Sequence, residues 1–103
     1  MWVFMNDSFI SIVSHRDKPG VLLVRARKPR DIEAVFPDAQ SWEDARADYA
    51  FRAEVPAEQA ALTLAARVNS IGYDNFKNSV KEKRRHDTYM KVWEVMWRWG
   101  LKR

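Results

Sequence analysis

Apolar residues recur with a helical period near the end of the chain. Tyr89, Val92, Trp93, Met96 and Trp97 stand at i, i+3, i+4, i+7 and i+8. This spacing predicts an amphipathic helix, and so aromatic a stripe predicts that the helix closes a sheet. Earlier segments alternate instead. Phe9, Ser11, Val13 and His15 share one strand face, and Ile10, Ile12 and Ser14 the other. Leu22, Val24 and Ala26 oppose Leu23, Arg25 and Arg27. Tyr49, Phe51, Ala53 and Val55 oppose Asp48, Ala50, Arg52 and Glu54. Strict alternation predicts strands with one wet face.

Breakers divide these runs. Asn6 and Asp7 separate a first short β-rich run, residues 2–5, from the second, which predicts a hairpin. Pro19 and Gly20 turn the chain into the third strand. Pro29 and Pro37 bracket a two-turn helix carrying Ile32, Val35 and Phe36. Residues 38–46 read as a polar connection with a lone Trp42. Pro56 opens a helix whose stripe is Ala57, Ala60, Ala61, Leu64, Val68 and Ile71, with Gly72 as its stop. Asp74 or Asn75 caps a helical turn with Phe76 and Val80. The basic run 81–86 then reads as a loop or as part of one continuous helix. Asp87 is the expected cap of the last helix, and Gly100 its end.

The element order is β-β-β-α-β-α-α. It predicts an α+β two-layer sandwich, a four-stranded, mostly antiparallel sheet with helices on one face. The fourth strand, after a helical crossover, could run parallel to the third. At 103 residues, residues 1–103 form the expected single domain. Hydrophobic residues make up 47% and aromatics 13%, a globular composition. With no Cys, disulfides, zinc knuckles and thiol nucleophiles are excluded. No secretory signal and no membrane-length apolar run is visible, so the expectation is a cytoplasmic protein with no membrane partner.

Six blocks recur in order: residues 1–4 (MWVF), 9–13 (FISIV), 23–27 (LVRAR), 48–52 (DYAFR), 73–77 (YDNFK) and 92–96 (VWEVM). This pattern resembles a family of small bacterial proteins. The resemblance covers nearly the whole chain and implies one compact domain of bacterial or phage origin. It carries no activity and assigns no catalytic residue.

The net charge of +4 is gathered into clusters. Arg25, Arg27 and Arg52 belong to the wet strand faces, and Lys77, Lys81, Lys83, Arg84 and Arg85 to the segment before the last helix. These eight are the candidate partner-binding residues. Arg25, Arg27 and Arg52 could equally pair with Asp48 and Glu54 across neighbouring strands. His15 and His86 are the only near-neutral acid–base groups, and neither has a partner at metal-ligand or triad spacing. No enzyme, cofactor or metal is therefore expected. Two functional readings follow. One is a non-catalytic regulator or inhibitor that binds a protein or ribonucleoprotein, an anti-CRISPR-like role among them. The other is a nucleic-acid-binding module that uses the same cations on phosphates, with Phe9 or another aromatic stacking on bases.

Overall fold

The computed structural model describes residues 1–102. Contacts divide the chain into two compact units, Met1–Ile71 and Gly72–Arg103.

The first unit is an α+β layer pair. Strands β1 (Trp2–Phe4), β2 (Phe9–Ser14), β3 (Val21–Ala26), β4 (Ser41–Glu43) and β5 (Phe51–Pro56) form one sheet, in the order β1-β2-β3-β5-β4. Every pairing is antiparallel. Two helices, α1 (Asp31–Val35) and α2 (Ala57–Asn69), contact its central strands. The expected helix-on-sheet architecture is present, with two differences. The sheet has five strands rather than four, because the stretch around Trp42 pairs with β5. The strand expected as the fourth, β5, runs antiparallel to β3 rather than parallel, with Val21 opposite Pro56 and Ala26 opposite Phe51.

The core follows the alternation. Ile10, Val24 and Ala53 have no exposed surface, and they meet Ile32, Val35 and Phe36 around α1 and Ala60 of α2. Each large apolar side chain so buried contributes roughly 1.5–3 kcal/mol. Asp31, 3% exposed, accepts the Phe9 amide at 2.9 Å and so ties α1 to β2. Gly20 takes φ +75° in the turn between β2 and β3, the conformation that suits glycine there. The stripe expected along α2 is buried only at its start. Ala60 is 2% exposed, while Val68 and Ile71 lie largely in solvent. The helix stops at Asn69, ahead of Gly72.

The second unit is two helices, α3 (Phe76–Ser79) and α4 (Lys83–Leu101). The Asn75 side chain caps α3 by accepting the Asn78 amide at 3.1 Å. Tyr73, Phe76 and Tyr89 form a ring series with centroids 5.8 and 5.9 Å apart. Val80 and Tyr89 are buried. The run 81–86 is neither loop alone nor continuous helix. Residues 80–82 break the chain direction, Glu82 is the N-cap, and Lys83 begins α4. Asp87 is thus inside α4, and the helix continues through Gly100 to Leu101.

The aromatic stripe does not become core. Of its five members only Tyr89 is buried; Trp93 is 46% exposed and Trp97 53%. A period of 3.6 states which residues share a face, and here α3 is too short to cover more than the first turns of that face.

Candidate functional site

One face of the sheet carries α1 and α2; the other carries the second set of alternating residues. The strand registers place five of these in one row across the whole sheet. Trp2 lies opposite Ser11, Ser11 opposite Arg25, Arg25 opposite Arg52, and Arg52 opposite Trp42. Strands about 4.8 Å apart make this row roughly 19 Å long. A tryptophan stands at each end, on each edge strand, 67% and 45% exposed. Two guanidinium groups stand between them. Phe9 extends the aromatic end, stacked on Phe4 at 4.5 Å and edge-on to Trp2 at 6.4 Å.

The central pair is like-charged and directly cross-strand, an arrangement that costs stability. Neither member forms an ion pair with a carboxylate among the described residues. Arg25 donates to Ser11 Oγ at 2.7 Å and lies 4.5 Å over the Tyr49 ring. Its Nε is buried without a hydrogen-bond partner. Arg52 donates to the Tyr49 carbonyl at 3.3 Å. Tyr49 precedes β5 instead of belonging to it, and it supports the arginines rather than joining the Phe51, Ala53 and Val55 face.

The neighbouring carboxylates are taken by other cations. Arg27 holds Asp48 at 2.9 Å, the cross-strand pairing weighed from the sequence. That hydrogen bond keeps the Asp48 carboxyl below its ordinary range and raises the guanidinium of Arg27 above its own. Glu54 accepts from Lys18 Nζ at 2.7 Å and meets His15 Nε2 at 2.9 Å. Lys18 and then His15 depress its carboxyl. His15 Nδ1 accepts the amides of Asp17 and Lys18, so Nε2 is the nitrogen that donates to Glu54.

The other candidate cations lie in the second unit and are largely used there. Lys77 sits 4.5 Å over the Trp93 ring, and Lys81 donates to the Asn78 carbonyl at 3.0 Å. Lys83 pairs with Asp87 at 3.1 Å, and Arg85 lies 3.6 Å from Glu82 and donates to Tyr89 Oη. Arg84 has no carboxylate partner among the described residues. Three of these, Lys83, Arg84 and Arg85, occupy the first turn of α4, where the helix dipole opposes them.

Alternation made Arg25 and Arg52 legible, and Phe9 with them. It missed Trp2 and Trp42 as the ends of the row. Trp42 belongs to a three-residue strand, too short to show a period. A cleft of about 620 Å³ beside it is lined in part by Asp38, Gln40, Glu54 and Gln59. Among the described residues no three His, Asp or Glu side chains gather as metal ligands. No described helix is long and apolar enough to cross a membrane. No family model, no curated protein and no solved structure matches the chain.

Proposed function

We propose that the chain is a non-catalytic binding module that holds single-stranded nucleic acid, bare or within a ribonucleoprotein, on the open face of its sheet. The row of Trp2, Ser11, Arg25, Arg52 and Trp42 carries this reading. Two adjacent guanidinium groups, neither in ion-pair contact with a carboxylate among the described residues, call for an anion from outside. Phosphates supply it. The exposed indoles at either end offer flat apolar faces, and every base has a matching one. Glu54, the nearby carboxylate on β5, is paired with Lys18 and His15.

The test is fluorescence anisotropy with labelled single-stranded RNA and DNA oligomers. Two neutralised phosphates give a salt slope of about −1.4, so affinity falls roughly sevenfold between about 50 and 200 mM salt. Arg25→Gln with Arg52→Gln flattens that dependence. Trp2→Ala and Trp42→Ala each remove roughly 1–3 kcal/mol of binding and leave the slope unchanged. Absence of binding at the lower salt, with a protein complex recovered instead from a pull-down, refutes the nucleic-acid reading and returns the face to a protein partner.

A further inference from the structure

Pairing between β4 and β5 stops at Ser41 opposite Ala53, although β5 runs on to Pro56. The cleft of about 620 Å³ opens there, along the part of β5 that β4 leaves bare. Its volume is in the range of small-ligand sites. Trp42 lines one side, and Gln59, from the first turn of α2, another. Asp38 and Gln40 come from the approach to β4, and Glu54 and the buried Val55 from β5. Trp42 also ends the arginine row, so the cleft adjoins that row at its outer end.

We propose that this cleft takes a guanine base of the strand held on the sheet face, a step that rests on the function proposed above. Among the described residues its lining holds two carboxylates, Asp38 and Glu54, and no Lys or Arg. A phosphate is therefore refused, and a group rich in N–H donors is favoured. Glu54 is already paired with Lys18 and His15. The Asp38 side chain forms no ion pair or hydrogen bond among the described residues, and neither do the amides of Gln40 and Gln59. Guanine alone of the four bases sets two N–H donors, on N1 and N2, side by side on its Watson–Crick edge, with the O6 acceptor next to them. The two oxygens of Asp38 match those donors, and the amide of Gln40 or Gln59 can donate to O6. Adenine, cytosine and uracil each place an acceptor beside a donor, and that acceptor would face the carboxylate. Trp42 supplies the ring on which the base stacks.

Fluorescence anisotropy of the full chain with labelled RNA oligomers of about ten nucleotides tests this. Three are compared: oligouridine, the same oligomer with one central guanine, and one with inosine in its place. The guanine oligomer binds at least about fivefold more tightly than oligouridine, the lower end for one bidentate base contact. Inosine, which lacks the N2 amino group, loses most of that advantage. Asp38→Asn brings the guanine and uridine oligomers to equal affinity. It keeps the binding of oligouridine, because Asp38 is exposed and its side chain holds no other group of the fold. Equal affinities for all three oligomers in the parent overturn the inference and leave the sheet-face reading standing. So does a guanine preference that Asp38→Asn retains. No binding of any oligomer removes both. A cleft that shows no guanine preference but captures an arginine-rich peptide, and loses it with Asp38→Asn, belongs to a protein side chain and also overturns the inference.

Discussion

Phe36 is 1% exposed and packs among Ile32, Val35 and the central strands, whereas Trp93 is 46% exposed between Lys77 and Trp97. Both are large aromatics on apolar stripes, and only one stripe is covered. Phe36→Ala leaves a cavity that neighbouring backbone cannot fill, so it costs about 3–5 kcal/mol. Trp93→Ala loses a cation–π contact and a half-exposed stack, and costs about 1 kcal/mol or less. Urea titrations measure both. Equal losses would mean that Trp93 is buried after all.

Between elements, one ion pair links the turn of the first hairpin to α1 and α2. Arg67 of α2 holds Asp7 at 2.9 Å and also donates to the Ala34 carbonyl of α1. Partial burial pushes the Asp7 carboxyl up, but the hydrogen bonds and charge of Arg67 outweigh it and hold the group below the ordinary aspartate range. A carboxyl depressed by folding stabilises the fold fully above its unfolded value, and that contribution disappears as pH falls through the folded one. Asp7→Asn therefore lowers stability at neutral pH and flattens its decline between about pH 5 and pH 2. Unfolding midpoints across that range check it, and parallel curves for parent and variant would refute it.

The same scale shows what the sequence made legible. The faces of β2, β3 and β5 follow from alternation alone, and so does the place of Arg25 and Arg52. The cap at Asn75 follows from its side chain. Residues 41–43 become a strand only because β5 offers them an edge, a cause outside the segment itself. The start of α4 was hidden for another reason. Lys83, Arg84 and Arg85 oppose the helix dipole, and a sequence argument places the start later, at a residue that favours it. The period of α4 was correct, but a period carries no information about what covers the face.

At the scale of the molecule, the contact-rich sheet unit and the helical unit divide the chemistry between them. The first holds the arginine row, and the second holds the stacked Trp93 and Trp97 and most of the remaining candidate cations.

The row also has a mechanical consequence. Its two indoles sit on the outermost strands, and those strands are three residues each. Short margins open locally at small free-energy cost, and their amides exchange with solvent through that opening. A strand of nucleic acid that grips both indoles works as a clasp across the sheet, since neither margin can then lift without releasing a base. Saturating oligomer should slow deuterium uptake in residues 2–4 and 41–43 together, by a factor that grows with ligand concentration. The amides of Ile10, Val24 and Ala53, in the middle of the sheet, should hardly change.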